Sequence, residues 1–233
     1  MSDLLPHQYW QTLEPRGTPT GVPEGGHRDG FPALLPDGRV LRLPIRVLPG
    51  DGTRAVASLI VNQASFAVED ALADGMAELA RGFDPAVIVG VPTLGLPLAA
   101  GVARRLGHGR MVALGTSRKF WYRDDLSVPL ASITTPGSAK RLYLDPRMLP
   151  VLEGRRVVVV DDVVSSGSSM EAVLTLLGAA GLAPLAVVAA MLQTRRWVDR
   201  LAGVFPEPAA RILGVMATPF LVRGRDGGWR PEA

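Results

Sequence analysis

The chain has 233 residues, enough for one good-sized domain and too few for two comfortable ones. Hydrophobic residues make up 47% and charged residues 20%, which excludes a disordered chain, and a formal net charge of +3 with no Lys/Arg block offers no footprint for nucleic acid. Cysteine is absent, which excludes disulfides and cysteine-held metals; with no secretory leader pattern at the start and no bilayer-length apolar run, the expectation is a soluble cytoplasmic protein with neither a membrane nor a nucleic-acid partner.

The first thirty residues are dense in Pro and Gly, as in "EPRGTPTGVPEGGHRDG". They read as irregular chain laid on another part of the molecule or as a partly mobile arm, with Tyr9 and Trp10 as the pins. Asp37-Gly38 is a turn pair with apolar residues on both sides and predicts a hairpin. A helix is predicted over 65–81, with Ser65 as N-cap and Gly82 as the stop.

The pattern then alternates. "AVIVGV" is a buried strand, "PTLGLP" a loop, "LAAGVARRLG" a helix ended by Gly107 and "RMVALG" a strand. A polar stretch over 123–140 has no clear period. "RLYLD" and "RRVVVV" are strands, the second ending at Val160. A helix follows over 167–178, opened by serines, and "PLAVVAAML" and "RILGVMATPF" are further strands. Continuous β-branched runs alternating with helices imply an α/β fold, a parallel sheet flanked by helices on both faces.

One stretch asks for a partner. "VVVVDDVVSSGSS", residues 157–169, carries a buried strand straight into two adjacent aspartates. Like charges that close repel, and burying them is costly unless a cation or hydrogen-bond donors meet them. In parallel sheets ligands bind beyond the carboxyl ends of the strands. There Ser165, Ser166, Gly167, Ser168 and Ser169 place backbone N–H groups and hydroxyls at a helix N-terminus, a nest suited to a phosphate. Gly167 lets the backbone approach it closely. Asp161 and Asp162, acceptor-only when ionised, suit sugar hydroxyls and a hydrated Mg²⁺, held directly or through water. The stretch therefore asks for a sugar bearing a phosphate. The glycine spacing and lysine of a phosphate-binding P-loop are missing, as is a dinucleotide fingerprint. His7, His27 and His108 form no metal-ligand spacing.

The same residues resemble the phosphoribosyl pyrophosphate (PRPP) motif of type I phosphoribosyltransferases: an apolar strand, two acidic residues, two apolar residues and a small Thr/Ser/Gly loop. Ser168 stands where that family usually has a second glycine. The resemblance covers about residues 59–192 and implies the core of that fold, with 1–58 an N-terminal arm and hairpin forming part of a small hood over the acceptor base, and 193–233 a C-terminal strand and hood segment.

It also implies further roles. Thr93, Leu94 and Gly95 match the pyrophosphate loop, in which the Thr93-Leu94 or Leu94-Gly95 peptide is the suspect for strain; a plain strand-to-helix turn is the other reading. Arg118-Lys119 resembles the basic pair of adenine and xanthine enzymes, with Lys119 on the pyrophosphate and Arg118 open to being a solvated cation. Residues 123–140, with Arg123 and Lys140, match a closing lid. Val163 and Trp197 are candidates for the base pocket, Trp197 being equally readable as core or subunit interface. The implied activity is transfer of phosphoribosyl from Mg²⁺-PRPP to a nitrogenous base, a purine first, by a homodimer in nucleotide salvage. The alternative is a PRPP-binding regulator or sensor without chemistry; no helix-turn-helix or basic recognition helix is present.

Overall fold

The structure is a computed structural model that describes residues 4–130 and 140–232. Its centre is a sheet of five parallel strands in the order β11-β10-β9-β5-β6, formed by β5 (Val87–Gly90), β6 (Val112–Ala113), β9 (Val157–Val164), β10 (Ala186–Gln193) and β11 (Ile212–Thr218). These are the β-branched runs of the sequence, and β9, the richest in valine, lies in the middle. Val158 and Val160 enter the core on one side of the sheet, and Val157 and Val159 enter the core on the other. Two buried faces explain why the run is continuously apolar rather than alternating.

Helix α1 (Phe66–Arg81) covers one face together with α2 (Gly95–Arg105). It starts where the sequence predicts: the Ser65 hydroxyl accepts from the Val68 N–H at 3.3 Å and donates to the Gln11 carbonyl at 2.8 Å. Its buried stripe of Val68, Leu72, Met76 and Ala80 has helical spacing. After the short α3 (Leu149–Leu152), helix α4 (Ser168–Ala179) covers the opposite face, where Val173, Leu176 and Leu177 are fully buried.

A second sheet, antiparallel, forms the hood. Its described strands are β1 (Leu13–Glu14), β2 (Gly30–Leu34), β3 (Val40–Val47), β4 (Arg54–Ala57), β12 (Phe220–Arg223) and β13 (Trp229–Pro231). β2 and β3 make the hairpin expected at Asp37-Gly38, with Gly38 at φ +86°. The N-terminal arm is pinned as anticipated. Tyr9 and Trp10 are buried, the Trp10 indole N–H donates to the Ser58 carbonyl at 3.0 Å, and the Tyr9 hydroxyl donates to the Asp29 carbonyl at 2.9 Å.

Three local expectations need correction. β9 does not stop at Val160; it runs on through both aspartates to Val164, because β10 continues to pair beside it up to Leu192. "RLYLD" does not join the parallel sheet. Its β8 (Arg141–Tyr143) pairs antiparallel with β7 (Ser127–Pro129), a ribbon that occupies part of the stretch read as a patternless lid. Residues 131–139 of that lid lie outside the described residues. Finally, the hood part of the C-terminal segment starts later than Gly214: β11, through Thr218, is the edge strand of the parallel sheet, and β12 and β13 lie in the hood.

Candidate functional site

The carboxyl ends of β5, β6 and β9 open at one end of the sheet, where the loop that leads into Gly95 lies against Asp161. Asp161 is 6% exposed and Asp162 half-buried. The Asp162 N–H donates to Asp161 Oδ1 at 2.9 Å. Burial pushes the Asp161 carboxyl well above the usual carboxylate range, and the neighbouring Asp162 charge pushes it further; burial also pushes Asp162 up. The pair thus sits at an electrostatic cost that a cation or hydrogen-bond donors arriving in the crevice would relieve.

The loop after β5 lies directly against this pair. The Val91 N–H donates to the Val160 carbonyl at 3.0 Å, and α2 begins at Gly95. A Cβ on Gly95 would lie 2.9 Å from both the Cα and Oδ1 of Asp161, so only glycine lets the helix start so close to the strand. Thr93 is exposed at the tip. The unusual peptide of this loop is one bond earlier than expected: Pro92-Thr93 is cis, while neither Thr93-Leu94 nor Leu94-Gly95 is.

Beyond β9 the chain turns into α4 through residues 165–169. Gly167 is the N-cap, in the left-handed region at φ +84°. A Cβ there would lie 3.2 Å from the Cα and Cβ of Trp197, so two independent reasons require glycine. The Ser166 and Ser168 hydroxyls are 3.1 Å apart, and Ser169 is exposed on the first turn. Val163 to Met170 enclose a cavity of about 80 Å³ at the helix N-terminus. The Ser168 N–H lies 3.4 Å from the Ser166 hydroxyl, and the positive end of α4 faces this cavity, a setting suited to an anion.

Lys119 lies past the end of β6, exposed, and forms no ion pair among the described residues. The segment that carries it is held on both sides. Arg118 pairs with Asp124 at 2.5 Å, which fits its reading as a plain surface cation. The Trp121 indole N–H donates to Asp145 Oδ2 at 3.3 Å, and the Arg147 guanidinium lies over the Trp121 ring at 4.1 Å. Arg147 also holds the Asp145 carboxyl down at about 2. Of the two lid cations, Arg123 is engaged by Asp125, and Lys140 is exposed where its carbonyl accepts from the Leu130 N–H at 2.8 Å.

Two assignments change. Trp197 does not line an open base pocket. It is 4% exposed, its indole N–H donates to the Thr194 carbonyl at 3.0 Å, and its backbone supports Gly167 from below. The Ser165 hydroxyl is turned to Gln193, donating to its Oε1 at 2.7 Å. Gln193 itself escaped the reading. Its signal was a lone amide closing the apolar run "AVVAAML".

Among the described residues no three His, Asp or Glu side chains converge as a metal site. Two carboxyls destabilised by burial suit a hard, oxygen-ligated cation that brings most of its ligands as water and substrate oxygens.

The phosphoribosyl transferase domain family matches residues 61–206. The Bifunctional protein PyrR of Streptomyces coelicolor is 35% identical over 130 residues, 53% of this chain and 61% of that protein, so the match spans less than two thirds of its length. HGPRTase-like protein 3 of Haloterrigena turkmenica is 35% identical over 167 residues, 69% of this chain and 76% of that protein. Among solved structures, APRTase from Giardia lamblia complexed with 9-deazaadenine has a TM-score of 0.58 at 19% identity, covering 74% of this chain and 93% of that one, a likeness of fold. The strand, aspartate pair and glycine-capped helix lie inside a family match that takes in more than half of the sequence, and the chain belongs to the phosphoribosyl transferase domain family.

Proposed function

We propose that this protein transfers the 5-phosphoribosyl group from Mg²⁺-PRPP to a nitrogenous base, with a purine as the favoured acceptor, and releases pyrophosphate. One observation carries the reading: a destabilised aspartate pair lies between an anion nest at the start of α4 and a loop whose glycine touches Asp161. That order suits a ligand with a phosphate at one end, a diol in the middle and a pyrophosphate at the other.

In this reading Ser166, Gly167, Ser168 and Ser169 hold the 5-phosphate through backbone N–H groups and hydroxyls. Asp162, the more accessible carboxyl, accepts from a ribose hydroxyl, and Asp161 orients it through the Asp162 amide. Thr93, Leu94 and Gly95 meet the pyrophosphate with backbone groups, and Lys119 supplies the side-chain cation. Mg²⁺, held by Asp161 and Asp162 through water, would add charge stabilisation on the pyrophosphate. The C1–O bond to pyrophosphate breaks, a C1–N bond to the base forms, and the base nitrogen releases its proton to solvent. Charge grows on the leaving oxygens, so Lys119 contributes most in the transition state. Val163, at the mouth of the phosphate loop, is the residue retained for the base pocket.

A second reading keeps the site and removes the chemistry. The pyrophosphate loop carries no basic side chain, which suits a protein that binds PRPP as a signal. Lys119, free of any ion pair among the described residues, favours the enzyme. The test is pyrophosphate release with Mg²⁺ and PRPP across adenine, guanine, hypoxanthine, xanthine, orotate and uracil. Release that depends on a purine is expected. PRPP binding without release from any base would replace the enzyme with the sensor.

A further inference from the structure

We infer that Gln193 is a positioning residue that latches the phosphate loop to the hood, and that affinity for the 5-phosphate end of the donor depends on this latch. The inference rests on the reading of residues 165–169 as the phosphate site.

Gln193 is the last residue of β10 and is 9% exposed. Its Nε2 donates to the Ala57 carbonyl at 2.6 Å, and its Oε1 accepts from the Ser165 hydroxyl at 2.7 Å. Ala57 is the last residue of β4, in the hood; Ser165 follows the last residue of β9, in the parallel sheet. One buried amide therefore ties the two sheets together where the phosphate loop begins.

The chemistry fixes which way the amide points. The Ala57 carbonyl can only accept, so the NH₂ end must face it, and the oxygen must face Ser165. Ser165 has one hydroxyl hydrogen and spends it on Gln193. Ionised phosphate oxygens also only accept, so the hydroxyl cannot serve the latch and a phosphate at once. If a ligand took that hydrogen, a buried amide oxygen would lose its donor, a penalty comparable to what the new bond returns. The latch therefore persists on binding, and the Ser165 side chain acts on the ligand through loop placement rather than contact.

The neighbouring residues act in the same sense. Thr194, at φ +64°, donates its N–H to the Thr218 carbonyl of β11 at 2.7 Å, and Trp197 lies beneath Gly167. The turn after β10 is thus the floor on which the phosphate loop rests, with Gln193 under its first residue and Trp197 under its third.

The test is calorimetric titration of the full chain with three probes: ribose 5-phosphate, Mg²⁺-PRPP and Mg²⁺-pyrophosphate. Gln193→Met keeps length and apolar bulk but removes both hydrogen bonds. It should weaken ribose 5-phosphate and PRPP about tenfold and leave pyrophosphate unchanged, since the latch acts on one end of the site. Ser165→Ala should do the same, and the double variant should be no weaker than either single one. Wild-type affinity for PRPP in Gln193→Met, or an equal loss for pyrophosphate, would overturn the latch. A wild-type protein that binds none of the probes would overturn the phosphoribosyl reading instead. Hydrogen exchange on the ligand-free chain then judges the latch alone: Gln193→Met should speed exchange of the hydrogen-bonded Ser58 and Thr194 amides that flank it, and unchanged exchange at both defeats it.

Discussion

Gly95 and Asp161 touch. The first residue of α2 lies so close to β9 that a methyl group on it would lie 2.9 Å from the aspartate's Cα and from its carboxylate oxygen. The contact packs the loop after β5 directly against the carboxylate pair. Gly95→Ala is therefore expected to destabilise the fold by about 1–3 kcal/mol, as overpacking at a fixed backbone does. It should also weaken PRPP binding by more than Ala substitution at the exposed Thr93. Urea melts and calorimetry on the two variants measure both effects, and a Gly95→Ala protein as stable as the wild type would mean that the loop is free to shift.

The buried pair makes a pH prediction. Burial raises the Asp161 carboxyl, so the folded state holds a proton there that the unfolded chain has already released. Where the native state binds more protons, stability falls as pH rises. Stability attributable to Asp161 is thus full below the ordinary carboxylate range and declines as pH climbs from that range through the raised one. Asp161→Asn keeps an acceptor for the Asp162 N–H and removes the titration. The variant should match the wild type in acid and exceed its Tm progressively toward neutral pH, while binding Mg²⁺-PRPP more weakly. A Tm difference that does not change with pH would contradict the assignment.

Asp162 is the carboxyl presented to the crevice, and it carries the sugar contact in the proposed reading. Asp162→Ala should leave the thermal transition near that of the wild type and weaken PRPP binding about tenfold to a hundredfold, the range for a hydrogen bond to a charged group. Unchanged PRPP affinity in calorimetry would remove the ribose from this position.

The fold was legible because its strands are long β-branched runs and its helices carry caps, as at Ser65 and Gly167. The aspartate pair and the glycine-capped turn into α4 were legible because they lie within thirteen consecutive residues, 157–169. What escaped depends on contacts between distant segments. Gln193 reads as an ordinary strand end until Ala57 and Ser165, 136 and 28 residues away, meet its two ends. Trp197 was drawn toward the base by its ring, whereas the tight turn after β10 places it under Gly167. The end of β9 was set too early because two aspartates look like a boundary, and continued pairing with β10 overrides that local signal.

Gly167 combines a left-handed backbone with a neighbour 3.2 Å from where its side chain would begin. Gly167→Val should abolish measurable binding of ribose 5-phosphate, since relieving the clash means moving either Trp197 or the loop. Normal binding in a folded variant would place the phosphate elsewhere.

Lys119 and Arg118 are adjacent cations with different prospects. Arg118 is occupied by Asp124, a pair more than half exposed on both sides and worth little to stability. Lys119 has no acidic partner among the described residues, and the segment around it is fixed by the Trp121, Asp145 and Arg147 cluster. A cation held ready without a partner is what stabilisation of a developing charge requires. Lys119→Ala should lower kcat by about a hundredfold to a thousandfold, the scale seen when one preorganised charge-stabilising group is removed, with a smaller change in the KM for PRPP. Arg118→Ala should change either constant only a few-fold. If Arg118→Ala proved the more damaging, the roles of the two side chains would be reversed, and the Arg118–Asp124 pair would have to open during turnover.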